Sequence, residues 1–350
     1  MKQGLTGEMK SRNSSIELLR LLCLFLIFWM HGASSFQENE VSAWLSILAD
    51  TIGNIGVACF ILISGYFGIR WNGKRMLKLD YMLIFYSWTA LLLQFLWNGN
   101  PGGETALSYL FPVIGKRSWY FTCYFVLAML APFLNDAIEN LEQKRFRQLL
   151  AVMLFAFSGV TTFFFFDITG DGGKGIVHMV MLYLIGRYIR LHMQEKKYAT
   201  TKLFGSFLLV AGVNFALNGA LYLVSGTVQN RFARDNTLFT VAEAVLVFLI
   251  FCNFRFENRV INRLAGFVPA VFMMEWTLRE SLIYWVYDYL SWNKSSWYHF
   301  ILLAVAVILI CVGSLIEALR RLIFQWPEEK VSEMEYRFLL RIKQKLIPEK

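Results

Sequence analysis

Charge is what this 350-residue chain has little of. Asp, Glu, Lys and Arg make up 17% of it, and 57% of its residues are apolar, against about 25% charged and about 45–50% apolar in an ordinary soluble domain. That shortage argues against a water-soluble enzyme. Cysteine is sparse and scattered: Cys23, Cys59, Cys123, Cys252 and Cys311 form no C-x-x-C pair, which argues against a disulfide framework and against a zinc site. No low-complexity linker and no inverted repeat of the transporter kind is visible. Two loop motifs are incomplete. Asp167, Thr169, Asp171 and Gly172 open like a calcium loop but reach His178 where the closing Glu belongs. The glycines from Gly170 to Gly175 lack the spacing of a phosphate-binding loop.

What the chain does have is apolar blocks of about membrane-spanning length. They lie near Ile16 to Ala33, Trp44 to Ile69, Leu79 to Trp97, Ser118 to Asn135, Leu149 to Phe166, Ile176 to Ile189, Leu203 to Val224, Leu238 to Phe254, Phe267 to Leu290 and His299 to Leu319. The expected fold class is therefore all-α, a polytopic membrane protein of about ten transmembrane helices. The net charge of +9 has a topological cause. With the amino terminus inside, 26 of the 34 Lys and Arg residues fall in cytoplasmic segments and 6 in the opposite loops, which places both termini in the cytoplasm and makes nucleic acid an unneeded partner. The small residues Gly32, Ala33, Ser34 and Ser35 raise the question of signal cleavage, but the long mixed-charge leader and nine further blocks favour an uncleaved first helix. Residues 1–325 read as one membrane domain. Residues 326–350 read as a cytoplasmic tail in which Val331, Met334, Phe338, Ile342 and Leu346 recur at helical spacing among Arg337, Arg341, Lys343 and Lys345, a basic amphipathic helix for the inner membrane surface.

Ionisable residues inside apolar blocks are functional candidates, because a central Arg costs at least about 2.5 kcal/mol on insertion scales. Arg20 and His31 are eleven residues apart in the first block, about three turns and about 16 Å, so they share one helical face as a polar stripe between the two membrane sides. Arg20 also fits a snorkelling residue paired with Glu17, Glu17 a capping box with Ser14, and His31 an interfacial residue. His178, His192 and His299 stand at block ends and suit interfaces. Ser64 precedes the basic run Arg70, Lys74, Arg75 and Lys78, which suits a phosphate ligand, anionic lipid or the topology signal alone. Trp119 and Tyr120 suit an aromatic belt or a sugar platform. Glu243 has no oppositely charged sequence neighbour, whereas Glu275 and Arg279 are spaced as an i,i+4 ion pair.

Several segments, in order, resemble the acyltransferase 3 family of bacterial integral membrane acyltransferases, particularly those that acetylate surface polysaccharides. They are Arg12 to Arg20 followed by His31, Leu62 to Phe67 with the basic run to Lys78, Trp119 to Phe121, Ala131 to Asn135, Leu182 to Ile189, and Val260 to Ala265. The resemblance covers nearly the whole chain and agrees with ten spans. It implies a multi-pass plasma-membrane enzyme that moves an acetyl group from cytosolic acetyl-CoA, with no permanently bound cofactor, to a sugar hydroxyl of an envelope polysaccharide or lipid-linked precursor. On that reading His31 is the general base or a transient acyl carrier, and Arg20 assists the donor. Arg70, Lys74 and Arg75 receive the phosphates, and Ser64, Trp119, Tyr120 and Glu243 serve as further binding residues. The chain departs from the family pattern at Phe272 and Glu275, where many relatives have Tyr and His, and in mixing Lys with Arg after the second block. A glycolipid flippase and a membrane subunit with a degenerate site are the competing readings.

Overall fold

The computed structural model describes residues 13–33, 40–99, 103–193 and 198–346. Lys2, Lys10, Arg12, Ser34 and Ser35 lie outside the described residues, as do the side chains of Ile342, Lys343, Lys345 and Leu346. The described residues are helical and loop only, in the order α1 (Ser14–Ala33), α2 (Glu40–Gly53), α3 (Ile55–Phe67), α4 (Gly73–Asn98), α5 (Gly103–Leu110), α6 (Trp119–Glu139), α7 (Gln143–Leu154), α8 (Val160–Phe164), α9 (Ile176–His192), α10 (Thr200–Ser225), α11 (Leu238–Cys252), α12 (Arg259–Ala265), α13 (Val268–Ser281) and α14 (Tyr298–Leu346). Single π-helical turns follow α7 (Phe155–Gly159) and α13 (Leu282–Val286). This is an all-α polytopic membrane protein, as apolar composition demands: in lipid a helix satisfies every backbone polar group within itself.

Seven stretches are long and apolar enough to cross a bilayer. The remaining three of the ten expected spans are α9, α11 and α13, of 17, 15 and 14 residues. At 1.5 Å per residue α9 and α11 reach about 23–26 Å, short of a hydrocarbon core of about 30 Å, while α13 runs on without a break into the π turn that ends at Val286. Helix α11 carries Glu243 and α13 carries Glu275 and Arg279, all buried inside the bundle. A helix enclosed by protein rather than lipid need not match the bilayer's length.

Helix α3 is the hub, with nine buried residues of thirteen, and it packs against α9, α1 and α11. Its seam with α9 is backbone to backbone: a Cβ on Gly65 would lie 2.2 Å from the Tyr183 carbonyl oxygen, and one on Gly186 2.4 Å from that of Leu62. Small residues are what permit such an approach.

The cap of α1 differs from the expected box. The Asn13 side chain accepts from the Ser15 amide at 3.1 Å. The Ser14 hydroxyl instead reaches α12, donating to Asn262 Oδ1 at 2.8 Å and accepting from the Asn258 amide at 2.7 Å. Its partners are some 240 residues away, which local capping rules do not see. His178 and His299, expected at interfaces, are 4% and 3% exposed; His299 Nδ1 accepts from Trp29 Nε1 at 3.2 Å while Nε2 faces the Ser42 carbonyl at 3.1 Å.

The tail continues the last span without a break. Helix α14 runs 49 residues through Pro327. At its middle the fully buried Glu317 accepts from Tyr86 at 2.6 Å, Arg320 at 2.8 Å and Arg321 at 2.6 Å, tying α14 to α4. Beyond Pro327, Glu329 and Glu333 meet the start of α4.

Candidate functional site

Helix α1 carries its two singled-out residues at opposite ends, and each opens onto different surroundings. Arg20 lines a cavity of about 170 Å³ with Phe60, Ser64, Leu79, Tyr120, Phe121, Tyr124, Val268, Pro269 and Phe272. Three expected site residues, Arg20, Ser64 and Tyr120, thus meet here from α1, α3 and α6. The Arg20 Nε is buried without a hydrogen-bond partner and stands 3.8 Å from Glu17 Oε2. The rest of the lining is aromatic and aliphatic. Tyr120 is the centre of a ring cluster, stacked on Tyr124 at 6.0 Å and edge-on to Phe60 and Phe272 at 6.3 and 5.4 Å. Trp119 packs edge-on to Tyr120.

The basic run is the connection between two walls of this cavity, Ser64 on α3 and Leu79 on α4. Arg70 and Arg75 are exposed. Lys74 is engaged by α14, 3.4 Å from Glu333 and 4.0 Å from Glu329, and Lys78 is 3.0 Å from Glu329. Two further cations join them. Arg187 lies against Gly68, whose φ of +73° and missing side chain leave it room, and Arg190 covers the Tyr66 ring at 5.1 Å. Three of the segments quoted above converge beside them: Tyr183 Oη donates to Asn135 Oδ1 at 2.8 Å and accepts from the Ile69 amide at 3.1 Å, while Asn135 Nδ2 donates to the Ile69 carbonyl at 3.1 Å.

At the other end His31 is one-quarter exposed and its Nδ1 is 2.7 Å from Glu275 Oε2. Glu275 is in turn held by Arg279 Nη2 at 2.8 Å, and Arg279 donates onward to the Phe28 carbonyl at 2.9 Å and to Tyr289 Oη at 3.0 Å. The imidazole lies flat on Trp276, with centroids 5.6 Å apart and planes at 20°. Gly32 is part of this arrangement, since a Cβ there would meet Arg279 Nη1 at 3.1 Å and Leu302 Cδ2 at 2.9 Å. A carboxylate clamped by a guanidinium and bonded to one ring nitrogen fixes tautomer and orientation for chemistry at the other. The sequence spacing disclosed the Glu275–Arg279 pair but not its third member, because His31 lies on a different helix.

The continuous polar stripe expected between Arg20 and His31 is interrupted. On that face stand Leu24 and Ile27, 0% and 1% exposed, with Ile27 packed on Gly56 of α3. Helix α13 contributes to both surroundings: Phe272 lines the Arg20 cavity, and Trp276, about 6 Å further along the axis, carries the imidazole. Glu243 lies apart from both, fully buried between α10 and α11, with Oε1 accepting from Asn214 Nδ2 at 2.9 Å. Among the described residues there is no group of three or more His, Cys, Asp and Glu able to hold a metal ion.

Compared with curated proteins and with solved structures, the chain has no match. The profile described as an acyltransferase domain matches residues 13–316, which include α1, the Arg20 cavity and the His31–Glu275–Arg279 relay, and this membrane protein therefore belongs to the acyltransferase 3 family.

Proposed function

We propose that this membrane acyltransferase moves an acetyl group from cytosolic acetyl-CoA to a sugar hydroxyl of a cell-envelope polysaccharide or its lipid-linked precursor, at the plasma membrane. The observation that carries the reading is the His31–Glu275–Arg279 relay at one end of α1, with the aromatic Arg20 cavity at the other, two of whose walls are joined by the segment that carries Arg70 and Arg75. At about 170 Å³ that cavity is smaller than the roughly 300–1,000 Å³ of whole-ligand pockets. It suits a slender thioester arm, with the nucleotide and its phosphates outside on the arginines. Lys74, spent on Glu333 and Glu329, contributes less to phosphate binding than sequence alone suggests.

In the reaction, His31 Nε2 takes the proton of the acceptor hydroxyl while Glu275 stabilises the imidazolium through Nδ1–H. The alcohol oxygen attacks the thioester carbonyl, the new C–O bond forms, the C–S bond breaks, and the proton passes from His31 to the departing thiolate to give free CoA. Transient acylation of Nε2 followed by transfer to the alcohol is the second route open to the same atoms.

The test is proteoliposomes supplied with acetyl-CoA and purified envelope polysaccharide, read by thiol release and by acetyl signals in NMR of the glycan. Coupled release and acetylation are expected. The His31→Ala protein should insert normally and lose about 10²- to 10⁴-fold in rate. A flippase would move lipid without liberating thiol, and retained acetylation by His31→Ala would remove His31 from the mechanism.

A further inference from the structure

A second, larger cavity of about 380 Å³ opens at the His31 end of α1, lined by Ala33, Ser46, Asp50, Val228, Gln229, Asn230, Arg231 and Arg234. Its volume falls within the range of about 300–1,000 Å³ typical of ligand pockets, and six of its eight lining residues are polar. Ala33 is two residues beyond His31, and Asp50 lies within electrostatic reach of that imidazole. Asp50 is a buried residue, 7% exposed, whose carboxylate receives no hydrogen bond among the described residues. A buried carboxylate bordering a polar cavity needs hydrogen-bond donors from whatever enters it.

The opposite wall is the loop between α10 and α11, and it is held rigidly. The Phe232 amide donates to Asn218 Oδ1 at 3.1 Å, Thr237 Oγ1 to the Phe232 carbonyl at 2.8 Å, and the Leu238 amide to Thr162 Oγ1 at 2.9 Å. The two arginines it presents form no ion pair within 4 Å among the described residues, and Arg231 rests over the Phe165 ring at 5.5 Å. Two guanidinium groups and one carboxylate therefore face the space without neutralising one another. Fixed forked donors recognise a planar anion, and a carboxylate acceptor recognises hydroxyls.

We infer that this cavity is the acceptor subsite and that it selects a sugar bearing an anionic group, the anion on Arg231 and Arg234 and ring hydroxyls on Asp50. The anion is either a uronic carboxylate or a sugar phosphate. The inference rests on the acyl-transfer reading only for what then happens to the hydroxyl.

The experiment uses the purified full chain in lipid nanodiscs and titrates three probes: methyl glucuronide, glucose 1-phosphate and methyl glucoside. At least one anionic probe should bind about tenfold or more tightly than the neutral glucoside, and which anion is preferred identifies the source. Arg231→Gln/Arg234→Gln should erase that preference, and Arg231→Lys/Arg234→Lys should keep part of it, which separates lost charge from lost folding. Asp50→Asn should weaken all three probes. Equal binding of neutral and anionic probes, no binding of any, or a preference that survives the double Gln variant would overturn the proposal. If wild type acetylates glycan and the double Gln variant shows an unchanged acceptor KM, the subsite is wrong and the transfer reading stands. If charge-selective binding holds while no acceptor releases CoA, the subsite stands and the transfer reading falls.

Discussion

His31 is useful because of what Glu275 does to it. A lone imidazole at a membrane boundary is free to rotate and change tautomer, whereas one bonded at 2.7 Å to a carboxylate that is itself fixed by Arg279 presents its other nitrogen in one direction. Glu275→Gln keeps the shape and removes the charge that steadies the imidazolium. The expected result is a loss of about 10²-fold or more in kcat with donor KM little changed, measured by thiol release. A loss confined to KM would make Glu275 a residue of packing alone. Asp235, in the loop beside the second cavity, yields a pH prediction. Burial raises its carboxyl to about 6 from an ordinary 3.8, with Lys174 and His31 pulling it down. Between those values the folded protein holds a proton that the unfolded chain has released, so this group's contribution makes stability fall as pH rises through that window. Asp235→Asn should remove that fall, seen as a flatter dependence of the thermal midpoint in detergent from about pH 4 to 6.

Among the elements, α3 and α9 show how closely a site's position depends on its scaffold. Their contact at Gly65 and Gly186 leaves no room for a methyl group, and the same two helices carry Ser64 to the Arg20 cavity and Arg187 and Arg190 to the neighbourhood of Gly68 and Tyr66. Gly65→Ala should force them apart and cost about 1–3 kcal/mol, the usual penalty of overpacking, with Gly186→Ala behaving alike. Thermal unfolding in detergent reads the first effect, and a raised donor KM reads the accompanying shift of the cavity wall. Gly205, inside α10 where a Cβ meets nothing within 4 Å, supplies the control, since Gly205→Ala should leave donor KM unchanged and raise stability slightly, by about 0.5–1 kcal/mol. Helix α13 sets Pro269, Phe272, Glu275 and Arg279 about one turn after another, the first two at the Arg20 cavity and the last two in the His31 relay.

For the molecule as a whole, the distribution of basic residues leads us to propose an orientation with the Arg20 cavity inward and the His31 relay outward. In a background lacking the five native cysteines, Thr227→Cys should react with an impermeant maleimide added to intact cells. Leu339→Cys, on the extension of α14, should react only after permeabilisation. The reverse pattern would invert the bundle and with it the assignment of donor and acceptor sides. The extension itself reaches back to α4 through Glu329 and Glu333, so its charges are partly satisfied within the protein rather than by a membrane surface.

What the chain's order of residues determines by itself is everything that depends on neighbours along one helix: the apolar blocks, the Glu275–Arg279 pair at i,i+4, the shared face of Arg20 and His31, and the ordered segments that mark the family. Burial and partnership between helices were decided only in three dimensions. The hydroxyl of Ser14 went to α12 instead of capping its own helix, Leu24 and Ile27 filled the face between Arg20 and His31, Lys74 met Glu333, and Glu275 found His31. The reason is the range of the forces involved. Hydrophobicity and backbone hydrogen bonding act within a segment and can be counted along it, whereas a hydrogen bond of 2.7 Å between residues 31 and 275 exists only once packing has fixed how α1 and α13 lie against each other.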